Sequence, residues 1–342
     1  MAKTISFLSG SPFIENPIVY NVTANEVTGV VSFHNVMFQV TAGLQGGNYV
    51  DYVLHSPVDN GETVQIDISS ALRAVASDYK YASTPPDNYP YISYSLKAWD
   101  EYMQNGDVHE NIGIVSDTGG KALLGGYSDL DRFLSEQSRS ALHFTRKPTS
   151  HPEILCDGDT YILPSDLNAT LSNITAGPQS VSYPVVIDKD HPSGLRSLGG
   201  RSVYVLPKQR DRYQFRFINQ FGVMESFAAF SLRETSVGYT KENYLLSNRE
   251  TFNSFSRRLL TKQNDVETWK MSSGPLDEDW QQWVLHDFLM TRNAWILVAD
   301  NWLPCVITPE DSITAVNRYS HDIMDVPFSV VLDINGSPLL KV

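Results

Sequence analysis

The chain has 342 residues, 42% of them hydrophobic and only 19% charged, so it can bury more than one core and is neither disordered nor collagen-like. Its 26 Lys/Arg against 39 Asp/Glu leave a formal net charge of −13, which argues against non-specific attachment to nucleic acid or to an anionic membrane. Two cysteines, Cys156 and Cys305, are too few for a disulfide framework, and no apolar run approaches the roughly 18 residues of a membrane span.

The opening MAKTISFLSGSPF lacks the apolar stretch of about 7–15 residues that a signal peptide needs, and Pro12 breaks it. Over 30–41 the apolar alternation changes phase. Val31 and Phe33 share one phase and Val36, Phe38 and Val40 the other, which predicts a turn or bulge at His34-Asn35. Val64, Ile66 and Ile68 alternate with polar residues and predict a strand, followed by a short helix over 69–76. Tyr79, Tyr81, Tyr89, Tyr91 and Tyr94 fall among Pro85, Pro86 and Pro90. This is either a contact surface, where tyrosine is favoured, or an ordinary proline-rich loop. Ile92, Tyr94, Leu96 and Ala98 predict the next strand.

Residues 106–150 read as a connector of loop and helix, with Gly119-Gly120, Gly125-Gly126 and a capped helix over 128–137. Alternation returns at Val203 and Val205 and at Tyr213, Phe215 and Phe217, whose neighbours Gln214 and Arg216 should face solvent or a partner. Asn219 to Gly222 carries a hairpin signal, with Gly222 at a positive φ, and Asp300-Asn301 carries another. The strongest helix spans 276–290. Asp277, Glu278 and Asp279 fill its first turn, and Trp280, Trp283, Val284 and Phe288 form an apolar stripe. Those tryptophans serve core packing or, alternatively, a sugar-binding platform. Phe328, Val330, Leu332 and Ile334 predict a last strand.

The expected fold is mainly β. Two β-sandwich-like blocks, 1–105 and 151–235, flank the connector. A C-terminal α+β segment, 236–342, adds one amphipathic helix, a hairpin and a final strand. Strand residues should outnumber helical ones by at least about two to one, against the near parity of ordinary domains.

A search for chemistry finds no phosphate-binding or dinucleotide-binding glycine pattern, no HExxH and no GxSxG. The eight histidines never pair at i, i+4. Asp157-Gly158-Asp159 begins like a calcium loop, but no Glu follows at loop position 12, so a turn capped by aspartate fits better. We therefore expect no catalytic residues, no metal and no cofactor. Charge is uneven: residues 192–262 hold 12 Lys/Arg against 5 Asp/Glu, and residues 263–342 hold 4 against 12. These are two solvated faces, or a basic surface that meets an acidic one on a neighbouring subunit. On the second reading Arg257 and Arg258 face Asp277, Glu278 and Asp279.

The string FRFINQFGVMESF (215–227) resembles the hairpin of tail and baseplate-type structural proteins from phages and prophages of Bacteroides-like gut bacteria. ENPIVYNVT (15–23), TVQIDISSALRAV (63–75), ALLGGYSDLDRF (122–133), LHFTRKP (142–148) and WLPCVITPED (302–311) are similar to further pieces of that family in the same order. The resemblance implies a non-enzymatic virion subunit made in the host cytoplasm. It would join other tail proteins, as a homo-oligomeric ring, without nucleic acid or membrane insertion. A glycan-binding tail module and a tail-associated glycan hydrolase are the alternatives.

Overall fold

A computed structural model of the chain describes residues 3–10, 13–29, 31–44, 47–77, 84–85, 90–128, 142–143, 145–149, 151–162, 168–169, 185–188, 193–198, 201–246, 257–309 and 324–332. The fold is mainly β. Two helical segments are described, of nine residues and of six α plus five π residues. Neither is long and apolar enough to cross a membrane.

The N-terminal part is two sheets packed face to face. One has the order β1 (Thr4–Gly10), β2 (Ile18–Thr23), β5 (Thr63–Asp67). The other runs β4 (Tyr49–Pro57), β3 (Val31–Leu44), β6 (Tyr91–Gln104), β7 (Asp107–Leu123). Alternation along β2, β3 and β6 sends Ile18, Tyr20, Val22, Val36, Phe38, Val40, Ile92 and Leu96 into one core. Helix α1 (Ser69–Ser77) closes that core with Ala71, Leu72 and Val75. Asp67 starts the helix by accepting from Ser69 N (2.9 Å) and Ser69 Oγ (3.0 Å).

The middle of the chain contributes short strands: β8 (Leu142–His143) with β11 (Asn168–Ala169), and β10 (Thr160–Tyr161) with β12 (Val185–Val186). A three-stranded sheet joins β13 (Gly194–Leu198), β14 (Arg201–Leu206) and β9 (Glu153–Cys156), with β9 parallel to β14.

The C-terminal part is a seven-stranded sheet. Its order is β16 (Met224–Phe230), β15 (Arg212–Ile218), β19 (Ala294–Val298), β20 (Asn301–Pro309), β21 (Met324–Leu332), β18 (Arg257–Leu276), β17 (Glu234–Leu246). The sheet curls until β16 comes back against β18: Ser272 N donates to Ser231 Oγ (2.8 Å), and a side chain on Gly274 would lie 2.9 Å from Phe230 O. Helix α2 (Glu278–Trp283) and the π turn Val284–Phe288 pack Trp280, Trp283, Val284 and Phe288 into the hollow. Both tryptophans are buried, as the core-packing reading expects, and the alternative sugar platform is absent from this helix.

Several local expectations need correction. The helix expected over 276–290 is α-helical only over Glu278–Trp283. Leu289 N then donates to Val284 O (2.9 Å), an i→i+5 bond that widens the turn. No turn breaks the chain at His34-Asn35. Strand β3 runs through, its register shift lies between Val31 and Phe33, and His34 points inward in phase with Val36. The stretch expected as connector opens with the 17-residue strand β7, joined to β6 by Asn105 and Gly106, both at positive φ. The boundary expected at 235/236 divides one sheet, since β15 and β16 share it with β17 to β21. The C-terminal hairpin turn is Ala299-Asp300 (φ 46° and 63°), one residue earlier than expected. The helix expected over 128–137, all but Ser128, and most of the tyrosine-rich loop lie outside the described residues.

Candidate functional site

The turn between β15 and β16 joins the two large sheet systems. Asn219 Oδ1 accepts from Phe221 N (3.0 Å) and Val223 N (3.2 Å), and Gly222 N donates to Asn219 O (3.0 Å). Gly222 has φ +78°, and a Cβ there would sit 2.8 Å from the Leu124 carbonyl carbon. Gly125 is tighter still, because its Cβ would meet the Phe221 carbonyl carbon at 2.2 Å. Two backbones therefore touch where only glycine fits, and Gly126 N donates to Gln220 O across the contact (2.9 Å). Phe13, Tyr127 and Phe221 pack around it.

Next to this turn lies a buried polar layer. Glu225 is 2% exposed and accepts from Asn219 Nδ2 (2.8 Å) and Trp283 Nε1 (3.0 Å). Burial pushes its carboxyl above the usual carboxylate range, although Lys147, Thr145, Asn219 and Trp283 all pull it down. Lys147 pairs with Glu153 (2.6 Å), donates to Ser226 O (2.9 Å), and is ringed by Tyr161, Trp280 and Trp283. Each charge here is taken up by fixed neighbours of the same fold. That is the arrangement of a brace between the middle segment, the sheet and helix α2.

The Asp157-Gly158-Asp159 turn is likewise committed to the fold. The Asp159 carboxylate receives the Arg212 guanidinium (Nη2 2.6 Å, Nε 2.8 Å) and Cys156 N (2.7 Å). Gln214 binds the same turn, accepting from Thr160 N (2.8 Å), and Arg216 stacks on Trp302 (4.3 Å), so this side of β15 is occupied within the chain. Among the described residues no group of three His, Cys, Asp or Glu side chains converges to hold a metal ion. Cys156 and Cys305 are buried free thiols, and burial pushes Cys305 up to about 12.

The interface residues expected from charge fall at the two ends of β18. Arg257 and Arg258 open the strand, opposite Leu246 and Leu245. Asp277, just past its other end, caps α2 by accepting from Trp280 N (3.0 Å), and Glu278 and Asp279 are exposed. A 20-residue strand at about 3.3 Å per residue holds the two sets roughly 60 Å apart. They do not meet within one chain. Beyond Thr268, where β21 stops pairing, β18 and β17 pair only with each other among the described residues. The outer part, from Val237 to Leu246 and from Arg257 to Glu267, is a two-stranded ribbon of about 35 Å.

A cleft of about 950 Å³ opens where the N-terminal sandwich, the 219–222 turn and the end of the π turn come together. Arg73, Arg146 and Arg292 line it, with Glu15, His286 and Asp287. Sequence reasoning missed this cleft, the Glu225–Lys147 brace and the ribbon. No local pattern marks the cleft or the brace, because their residues come from segments far apart in the chain.

No family model matches the chain, and no curated protein and no solved structure matches it either.

Proposed function

We propose that the chain is a non-enzymatic structural subunit of a bacteriophage tail, at the tail tip, baseplate or an adaptor, where copies join one another and other tail proteins. The observation that carries this reading is the ribbon of β17 and β18. A two-stranded ribbon is marginal in water, and among the described residues its outer strand edges pair with no further strand, which suits them to a partner. Its outer end, 241–246 and 257–262, holds Lys241, Arg257, Arg258 and Lys262 against Glu242 alone, a basic tip on a chain of net −13, while Asp265 and Glu267 lie nearer the sheet. Such a tip is drawn to the acidic surfaces of further copies, and charge then sets register and rate more than strength. The resemblance of FRFINQFGVMESF and the ordered pieces around it supplies the tail setting.

The burial of the tryptophans disfavours the glycan-platform alternative. Five of the six are buried and Trp302 is half-buried beneath Arg216. Mass spectrometry of purified particles tests the proposal. The chain should be present in several copies per virion, and particles without it would overturn the reading. Arg257→Glu with Arg258→Glu should leave the circular dichroism spectrum intact and block incorporation into particles.

A further inference from the structure

The junction cleft has a composition unlike the rest of this acidic protein. Three arginines reach it from three different elements: Arg73 from α1, Arg146 from the middle segment and Arg292 from the loop after the π turn. Arg73 uses one guanidinium nitrogen on Ile14 O (3.2 Å), and Arg292 has no ion pair among the described residues. Both are exposed. Against them stand Glu15 on the rim and Asp287, which is 1% exposed in the wall. Asn219, Gln220, Thr291 and Asn293 complete the lining, and of these Asn219 and the Thr291 hydroxyl already serve the fold, on Phe221 N, Val223 N, Glu225 and Ile218 O. The walls are set by packed elements: Gly125 against Phe221 on one side, and Trp283 and Phe288 sunk in the core on the other. A cleft between packed units, with convergent charged groups on rigid walls, is where ligands bind in general.

We infer that this cleft is a binding site for an extended acidic polypeptide segment, whose carboxylates pair with Arg73 and Arg292. A cavity near 950 Å³ fits several residues of extended chain and is larger than a single inorganic anion needs. Arginine forks take carboxylates in bidentate fashion. A duplex nucleic acid would meet a body of net charge −13 on approach, which favours a short acidic segment over a polyanionic rod. The site stands independently of the tail assignment, because its chemistry involves neither the ribbon nor the sequence resemblance.

Fluorescence polarisation of the full chain with a labelled oligoglutamate peptide tests the inference, with inorganic phosphate and a DNA duplex as parallel probes. The peptide should bind saturably at one site and weaken as salt rises. Arg73→Ala with Arg292→Ala should weaken it by about tenfold, the range of two partly exposed ion pairs. Glu15→Gln, which removes the opposing rim charge, should tighten it. Both variants lie at exposed positions and should keep the wild-type melting temperature, which calorimetry verifies. Three outcomes overturn the inference: no saturable peptide binding, peptide binding indifferent to these substitutions, or the same substitution pattern seen with phosphate or DNA and not with peptide. A chain that binds the peptide but is absent from particles would sink the tail assignment and leave this site standing.

Discussion

Among the described residues the two large cores contain the same number of buried side chains, 19 each, and are built from different material. The N-terminal sandwich is aliphatic: among its described residues Tyr20, Phe38 and Tyr94 are the only aromatic members beside Val, Ile, Leu and Ala. The C-terminal core has eight, namely Phe215, Phe217, Phe227, Phe288, Phe328, Trp269, Trp280 and Trp283. The difference follows from what each sheet faces. Two sheets packed face to face leave a gap of about 10 Å, which β-branched residues fill. A curled sheet around a helix leaves a wider, irregular space that large rings fill, edge to face, as Phe215 and Phe217 do against Phe288.

Each core also encloses one charged cluster. In the N-terminal part, fully buried Asp100 pairs with Lys3, accepts from Asn25 N (2.9 Å) and lies 3.5 Å from His34. In the C-terminal part it is Glu225 with its donors and Lys147. The lesson is that neither core is sealed by apolar packing alone. Each is keyed by a polar group that only one arrangement of the chain satisfies.

The comparison breaks most visibly at Trp283. Trp283→Ala should cost about 3–5 kcal/mol, from the cavity left among rings that cannot close over it. It also removes a donor from Glu225. Leu72→Ala in the aliphatic core should cost about 2–5 kcal/mol, toward the lower end because small neighbours collapse more easily. Denaturant titration of both variants decides this, and equal losses would mean the two cores yield alike. Asp100→Ala, which strands buried Lys3, should cost about 3–5 kcal/mol by the same measurement. Lys3→Met with Asp100→Leu should recover most of it, because the paired removal leaves no lone charge.

The seam between the cores is a smaller and sharper target. Gly222→Ala adds a positive-φ penalty of about 1–2 kcal/mol to a Cβ pressed on Leu124. Gly125→Ala has no such penalty but meets Phe221 at 2.2 Å, so it should lower the melting temperature further. The reverse order would place the strain in the turn itself and not in the contact.

The finest distinction is the sign of the pH dependence. Glu225 is raised by burial above its unfolded value near 4.5, so the folded protein holds this proton more tightly. Its contribution is fully present below that value and is lost as pH rises through the folded one. Glu225→Gln should flatten this loss. Lys3 is lowered by burial from 10.5, against the pull of Asp100, so the unfolded chain binds this proton more tightly. Its contribution falls as pH drops below 10.5 toward the folded value. Lys3→Met should remove that slope. Melting temperatures of the two variants across pH distinguish the cases, and slopes of the same sign would contradict the cluster assignments.

Alternation made most strands legible because a half-buried strand has a period of two whatever it pairs with. Thr63–Asp67, Tyr91–Gln104, Arg212–Ile218 and Met324–Leu332 all cover stretches that read as strands. The reading failed where a polar residue faces inward. His34 points into the core toward Asp100 while Phe33 points out, so the apolar pattern shows a break that the backbone does not have. It failed again at the helix, where the apolar stripe from Trp280 to Phe288 is real but the backbone widens after Trp283.

By itself the amino-acid sequence determined the class of this protein: mainly β, acidic, with one aromatic helix and a glycine turn at Gly222. Those are local properties, set by residue volume, charge and period. Tertiary structure alone decided which strands share a sheet, so that β15 joins the C-terminal strands through β19, where Arg216 lies opposite Trp295. It alone brought Gly125 under Phe221, Lys147 between Trp280 and Trp283, and Arg73 and Arg292 to one cleft. Contacts between residues far apart in the chain depend on how whole sheets pack, and no local period records that.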